Sequence, residues 1–591
     1  MKIPQQRSIS FAPFLQDARR YSGLFLRYDL FAALSVALMT IPQSIAYSLL
    51  AGLPPTAGLF SAIFGTIFSS TFCSMRLLIA GPSTGTAILL QTAIAQVIYT
   101  YYPNSGGLAN EALVYHILTQ FVVVMGLVQV GSAFFNVSKL LQFVSRPVIL
   151  GYFSGIAVAI AVTQSFSLTG IAPPVQGGPI FSQGGWFLFH LHQVHLPTLL
   201  VGLVSFGAFL TVRKMLKNWP HALLVLIIGT VVNLILRHWF GLIDVRTLAN
   251  FQLLSTPIPE LFFPLLDLSL ISQIFPAALA IAFLAILEVF SITRIYAVKS
   301  GQSLQVNQDV FALGISNFLL SFLTGSMPTS GSATRTNLNF RLQAKTRFSA
   351  IFSAIFTAII VLFCWPLAKQ VPLATLGAML IATAPTLVDF REIRFSLSAT
   401  KADAWVFFLT FASCLFLSLD VAFFIGIVIS IGSYLKKTAT PHLVEYAFNT
   451  KGRLTVVSPK EDVHRKVRII GIGGDLYFAT ADVFESALDA IAQDLNVQAI
   501  VLRLNNVHHM DASMSLAILH LHEILTTSNR YLVISGITEE VWHVFHRAGL
   551  AARIGLDNLY FTDETNPQFS TWKACLRAQE LIHHSTSYPY F

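Results

Sequence analysis

The sequence predicts a polytopic α-helical membrane protein of about fourteen apolar segments in two inverted halves, followed by a soluble α/β domain. Three observations predict it. Of 591 residues, 54% are hydrophobic and 11% charged, against roughly 25% charged in ordinary soluble domains. Lys and Arg recur in short clusters between apolar runs, as in cytoplasmic anchoring loops. After Lys437 the apolar runs stop and short Val/Ile/Leu runs alternate with helical stretches. The net charge of +9 therefore marks loop anchors rather than a nucleic-acid partner; the expected large partner is the lipid bilayer.

The first residues, "MKIPQQRSISFAPFLQDARR", are polar and basic and hold no apolar segment of signal-peptide type. Residues 1–28 read as a cytoplasmic lead-in. The membrane region is 29–437, with half-repeats at about 29–240 and 270–437. Its segments fall near 30–50, 56–74, 84–101, 113–133, 147–165, 197–213 and 220–239 in the first half. The second half gives 273–292, 309–325, 333–343, 348–366, 371–387, 404–418 and 420–436. With the N-terminus inside, alternate loops carry the cations, from Arg76 through Arg213 and Lys214 to Lys436 and Lys437, whereas residues 102–112 and 165–196 have none. That distribution predicts both termini on the cytoplasmic side of the plasma (inner) membrane. Residues 438–461 read as a linker, 462–563 as the α/β domain and 564–591 as a tail without strong pattern.

Two places break the apolar pattern alike: "IAGPSTGTAIL" at 79–89 and "MPTSGSATRTNL" at 327–338. Each runs from Pro or Gly through Ser/Thr into a helix-capable stretch. From Pro42 to Ser83 is 41 residues and from Glu288 to Ser332 is 44, which puts both at the start of the third helix of a half. Matching interrupted segments point to a transporter's binding site. A helix beginning at mid-membrane exposes N–H groups, which Ser83, Thr84, Ser332 and Thr334 can partly cap. The rest can coordinate an anion, helped by helix dipoles and by Arg335. The alternative is a pair of kinked helices with Arg335 snorkelling to the membrane face.

Glu288, in "ALAIAFLAILEVFSITR", is an intramembrane carboxylate, at a cost of about 2.5–3.5 kcal/mol or more at the bilayer centre. It is a candidate proton carrier, or else the partner of a structural ion pair with Arg335 or Arg294. Pro42 frees a backbone carbonyl in the first segment and makes Gln43 a candidate ligand-contacting group. "HLHQVH" (His190, His192, His195) lies in an external loop without Cys or carboxylate support and reads as solvated, not as a metal site. Cys73, Cys364, Cys414 and Cys575 show neither metal nor disulfide spacing. No P-loop is present and "GIGGD" is too short a signal for one, so the chain is read as no enzyme, without cofactor, apart from a coupling ion, H+ or alternatively Na+.

Together these motifs resemble the SulP family of anion transporters, the sulfate permease group. The resemblance rests on "IPQSIAYSLLAGLPPTAGLF", on "LLIAGPSTGTA", on Asn307, Gln308, Gly314, Ser316 and Asn317, and on "PTSGSATRTNLN". The last hundred residues resemble the STAS domain that follows this transporter. The resemblance implies fourteen segments as seven-plus-seven inverted repeats in core and gate domains, uracil-permease-like, with the third and tenth helices half-spanning and facing each other across an anion. It implicates Gln43, Ser83, Thr84, Ser332, Thr334 and Arg335 in anion binding. Glu288 matches an acidic position linked to proton coupling, where sodium-coupled bicarbonate members carry Asp. It further implies a homodimer and a small inorganic anion of the sulfate, bicarbonate or chloride class. Proton-coupled sulfate symport by alternating access leads; sodium-coupled bicarbonate transport, anion exchange and an uncoupled channel are the alternatives.

Two departures stand out. Thr334 replaces the second serine of the family's Ser-x-Ser-Arg, keeping the hydroxyl and adding a methyl. In "NNVHHMDASMSLAI", Asp511 and Ser513 match the pair around which stand-alone STAS proteins carry a phosphorylatable serine, but Met514 replaces the following glycine. Asp511 and Ser513 are thus candidate regulatory residues, with Ser513 read first as a helix N-terminal residue.

Overall fold

The computed structural model describes residues 9–585 apart from 11–12, 20, 103–110, 137–143, 175–177, 217–220, 241–244, 251–257, 439–441, 450–452, 458–464, 475, 477, 493, 495 and 564. The chain divides into two units, Met1–Ser430 and Ile431–Phe591. Lys139 and Lys217, two of the sequence's loop cations, lie outside the described residues.

In the first half of the membrane unit a short helix α1 (Phe14–Arg19) precedes α2 (Gly23–Leu50). Helices α3 (Pro55–Phe60) and α4 (Thr66–Phe72) follow, joined by a π-helical turn at Ser61–Gly65. A two-residue strand β1 (Ala80–Gly81) leads into α5 (Thr84–Tyr101). Then come α6 (Glu111–Phe134), α7 (Arg146–Thr169), α8 (Ile180–Phe189), α9 (Leu196–Met215) and α10 (His221–Phe240). The second half begins with α11 (Leu268–Ser300) and α12 (Val306–Leu320), then β2 (Ser330–Gly331) and α13 (Ala333–Arg341). It ends with α14 (Phe348–Ala368), α15 (Leu373–Thr383), α16 (Phe390–Ala399), α17 (Lys401–Phe416) and α18 (Leu419–Thr438).

Each apolar window of the sequence falls on a helix, the 56–74 window being divided into α3, the π-helical turn and α4. Among the described residues nine helices are long and apolar enough to cross a bilayer unaided, and neither α5 nor α13 is one of them. Helix α8 lies inside a stretch expected to be an external loop, and Pro42 does not interrupt α2. The two halves pack reciprocally. Helix α6 lies against α11 and α12, while α14, its counterpart, lies against α2 and α4. Glycines allow the closest of these approaches. A Cβ on Gly126 of α6 would stand 2.6 Å from the Phe318 nitrogen of α12, and one on Gly314 of α12 would stand 2.6 Å from the Val130 nitrogen of α6. Small residues that let backbones meet are the usual device of intramembrane packing, where no hydrophobic effect separates helix from lipid.

The second unit is a six-stranded sheet flanked by helices. Its strands are β3 (His442–Phe448), β4 (Leu454–Val456), β5 (Val467–Gly473), β6 (Ala499–Asn506), β7 (Tyr531–Ile537) and β8 (Leu559–Phe561). Their order is β4-β3-β5-β6-β7-β8, parallel from β5 to β8 and antiparallel at β3 and β4. Helices α19 (Phe478–Ala492), α20 (Ala512–Thr527), α21 (Glu539–Arg547) and α22 (Leu550–Ile554) supply Phe484, Ile518, Phe545 and Ile554 to a core with Ile470, Leu502 and Ile534. The alternate strand residues Ile469, Val501 and Val533 face the other way, onto α23 (Phe569–Ser585), as the two-residue period of a strand requires.

Two expectations are corrected here. Residues 438–461 are not only a linker, because β3 and β4 lie within them. Residues 564–591 are not a patternless tail: α23 buries Ala574, Ala578 and Ile582 against the sheet. Its apolar positions repeat every four residues, the spacing of one helix face.

Candidate anion site

Strands β1 and β2 pair antiparallel, Ala80 with Gly331 and Gly81 with Ser330. The two interrupted segments thus pair backbone to backbone at this crossing, and a helix follows each strand within three residues. Ser83 caps α5 by accepting from the Thr86 N–H at 3.2 Å, and its carbonyl takes the Ala87 N–H. Ser332 caps α13 in the same way, accepting from the Arg335 N–H at 3.4 Å, and its carbonyl takes the Thr336 N–H. In each helix the first two N–H groups, of Thr84 and Gly85 and of Ala333 and Thr334, remain outside these caps. All four residues line one cavity of about 310 Å³.

Ser83, Thr84, Ser332, Thr334 and Glu288 line that cavity together, as do Tyr47, Tyr152 and Phe423. Glu288 is the one formally charged residue among the described lining residues. Its carboxylate accepts a hydrogen bond from the Ser330 hydroxyl, on the crossing itself. A Cβ on Gly85 would stand 2.8 Å from Glu288 Oε1, so the same carboxylate reaches the first turn of α5. Glu288 forms no ion pair with Arg335 or Arg294 among the described residues.

Two of the residues singled out in the sequence lie elsewhere. Gln43 is not among the lining residues; its side-chain oxygen is buried without a hydrogen-bond partner, and Tyr47, one turn later on α2, reaches the cavity instead. Arg335 does not line the cavity either, nor does it snorkel. It is wholly buried, with Nη2 donating to the Pro82 carbonyl at 2.8 Å and with Nε and Nη1 unpartnered. Its guanidinium lies against Gly81 and the Pro82 carbonyl of the opposite segment.

One face of α13 holds that opposite segment along its length. Asn339 donates to the Leu77 carbonyl at 3.1 Å, Thr336 accepts from the Ile79 N–H at 3.1 Å, and Arg335 takes Pro82. From below, Thr66 donates to the Ala80 carbonyl at 2.6 Å. On the other strand, Asn317 accepts from the N–H and hydroxyl of Thr329 and donates to the Thr329 carbonyl and to Gln129. Extended backbone at membrane depth is thus satisfied by side chains, which is the condition for its presence there.

The comparisons bear on what such a site serves. The family model described as "Sulfate permease family" matches residues 26–410, and the STAS domain model matches 457–565. The chain belongs to the sulfate permease family. "Sulfate transporter 4.1, chloroplastic" of Arabidopsis thaliana is 26% identical over 91% of this chain and 78% of its own length. "Probable sulfate transporter Rv1739c" of Mycobacterium tuberculosis is 25% identical over 96% and 99%. The inward-facing structure of the murine solute carrier 26 family member A9 anion transporter superposes with a TM-score of 0.84 at 19% identity, covering 98% of this chain and 97% of that one. This permease is thus a multi-pass membrane protein with the fold of a known anion transporter, and anion transport is its function class.

In the soluble unit Asp511 is the N-cap of α20, accepting from the Met514 N–H at 3.0 Å through Oδ1, while Oδ2 accepts from the Phe478 N–H at 2.6 Å. Ser513 is the second residue of α20 and half-buried, the helix N-terminal position expected for it. Two of the three histidines of the 190–195 stretch make local hydrogen-bond contacts, and His192 is exposed. His190 stacks on Trp186 and contacts its carbonyl, and His195 pairs with Thr198.

Proposed function

We propose that this permease is a secondary active transporter of a small inorganic anion, sulfate first, moved together with a proton by alternating access. The observation that carries the proposal is the convergence of two serine-capped helix starts on one cavity that also holds the Glu288 carboxylate. The anion would accept from the N–H groups of Thr84, Gly85, Ala333 and Thr334 and from the hydroxyls of Ser83, Ser332 and Thr334, under the positive ends of α5 and α13. Arg335 adds a fixed positive charge from behind the crossing.

Coupling follows from charge. An ionised Glu288 in the same cavity would repel the anion; in a medium of low permittivity that repulsion is large. A protonated Glu288 removes it and still hydrogen-bonds Ser330. Anion and proton therefore favour each other's binding by the same amount, as linkage requires. Movement of the paired segments against the helices facing them, such as α7 with Tyr152 and α18 with Phe423, would open the cavity to each side in turn. The loop cations support cytoplasmic termini in the plasma membrane, and a homodimer is the proposed assembly.

The test is uptake into liposomes of the purified full chain, with sulfate, bicarbonate and chloride, at two pH values and with or without sodium. Sulfate uptake accelerated by an inward proton gradient and indifferent to sodium is the expected result. Sodium-dependent bicarbonate uptake, strict dependence on an opposing anion, or currents far above carrier turnover would each replace it with another mechanism on the same scaffold.

A further inference from the structure

Away from the anion cavity, two arginines of the membrane unit share one carboxylate. Asp17, on the six-residue helix α1, accepts from Arg347 Nε at 2.6 Å through Oδ2 and pairs with Arg76 Nε at 3.1 Å through Oδ1. Arg347, which caps the start of α14, also donates to the Cys73 carbonyl at 2.8 Å. Asp17 and Arg347 are buried, whereas Arg76 is exposed and opens the group to solvent. None of the three lines the anion cavity. Asp309 lies within electrostatic reach of Arg347, with Oδ1 committed to the Ser74 and Met75 N–H groups and the Ser74 hydroxyl.

We infer that Arg76 and Arg347 form a second anion site, for a tetrahedral oxyanion of the sulfate or phosphate class, which Asp17 keeps filled and from which such an anion displaces α1. Guanidinium groups take carboxylates and tetrahedral oxyanions through the same N–H donors, so the Asp17 carboxylate is a built-in stand-in for a free one. With Asp17 withdrawn, Arg76, Arg347 and Asp309 leave one net positive charge. A buried guanidinium without its partner is strongly disfavoured, and an incoming oxyanion removes that penalty. Helix α1 is suited to leaving. Six residues are too few to hold a helix without tertiary contacts, and its Leu15 and Arg19 are exposed. The residues before it are tied by Ser10, whose backbone N–H and carbonyl both bond the Gln308 side chain. Residues 73–79 run from the arginine pair directly into β1. An oxyanion in this site therefore acts on the crossing without entering the transport cavity, whichever anion is carried.

The experiment follows trypsin cleavage after Arg19 in the detergent-purified full chain, read by mass, in sodium sulfate, sodium phosphate or sodium chloride at equal ionic strength. Cleavage reports the population in which α1 is released. Sulfate or phosphate should raise its rate at least about threefold over chloride, because an anion that binds only the released form shifts the population by mass action. The anion effective at the lower concentration is the ligand the site takes. Asp17→Asn should cleave at the faster rate in chloride alone. In a second measurement, Asp17→Ala vacates the place of the carboxylate and lowers the unfolding temperature. The same anion should raise that temperature by more than it raises the parent's, and adding Arg347→Gln to Asp17→Ala should abolish the excess. Equal cleavage of the parent in all three salts would overturn the inference, and so would an Asp17→Ala chain that the anion stabilises no more than the parent. If Asp17→Ala does not fold, cleavage of the parent decides. Neither readout needs flux, and sulfate held in the transport cavity affects the unfolding of parent and variant alike.

Discussion

Gly81 and Arg335, on opposite halves of the membrane unit, are in direct contact: a Cβ on Gly81 would stand 2.6 Å from Arg335 Nη1 and 2.9 Å from Nη2. Gly81 also has a φ of +149°, a conformation that side chains other than glycine rarely adopt. Gly81→Ala therefore meets both backbone strain of about 1–3 kcal/mol and a guanidinium that must shift from its contact with Pro82. The expected outcome is loss of anion uptake with protein still inserted in the membrane, measured by transport and by detergent thermal unfolding. Unchanged uptake would show that the crossing tolerates displacement.

Arg335→Ala removes the charge behind the crossing and leaves the Pro82 carbonyl without its partner. Because the guanidinium does not line the cavity, its effect on the anion is electrostatic rather than a direct contact. Sulfate affinity should fall about tenfold or more, by analogy with a lost charge-assisted interaction of 1.5–3 kcal/mol, and Arg335→Lys should recover part of it. Isothermal titration in detergent measures this. If affinity is untouched while thermal stability drops, the arginine is only a structural tie.

Glu288→Gln keeps the shape and a hydrogen bond to Ser330 but cannot ionise. Uptake should lose its acceleration by acid while sulfate binding persists, because the repulsive state of the cavity no longer exists. Flux against external pH, alongside binding at two pH values, checks this. Acid stimulation that survives in Glu288→Gln would remove the proton from this residue.

How far the sequence led is clear at these residues. Apolar length and basic loops placed the membrane helices, because lipid forces every span to declare itself in composition. The Ser caps at 83 and 332 were legible for the same reason: an interrupted helix must satisfy its first N–H groups. The crossing of β1 with β2 was not, since two-residue strands leave no periodic signal. Nor could local pattern tell whether Arg335 faces the cavity or stands behind it, or that Tyr47 would occupy the place given to Gln43. Those depend on the rotation of helices about their axes, which packing decides. Helix α23 was missed because two of the three apolar residues it buries, Ala574 and Ala578, are alanines, whose spacing carries little hydrophobic contrast.

Asn317 holds the extended segment before β2 with three hydrogen bonds to Thr329, at 2.7, 2.8 and 3.2 Å, and donates a fourth to Gln129 of α6 at 2.8 Å. Asn317→Ala leaves the Thr329 backbone groups bare in a buried site, at about 1–3 kcal/mol for each unsatisfied group. A lowered unfolding temperature with reduced uptake is expected. Thr329→Val, which keeps the backbone bonds and loses only the hydroxyl, should be milder. Equal effects would mean that the hydroxyl, not the backbone, is what Asn317 secures.

In the soluble unit Ala578 is wholly buried on α23, in the cluster with Ile469, Val501 and Val533 of the sheet. Ala578→Asp would put an unpaired carboxylate against that face, a change that buried charge makes severely destabilising. The expected result is rapid proteolysis within residues 442–585, with the membrane unit still resistant. Sulfate binding by the same detergent-purified chain then separates two roles for this domain. Retained binding with altered uptake would make the domain a regulator of transport. Loss of the whole chain from the membrane would make it a requirement for folding. A soluble unit as resistant as the parent's would show that α23 does not close the second face of the sheet.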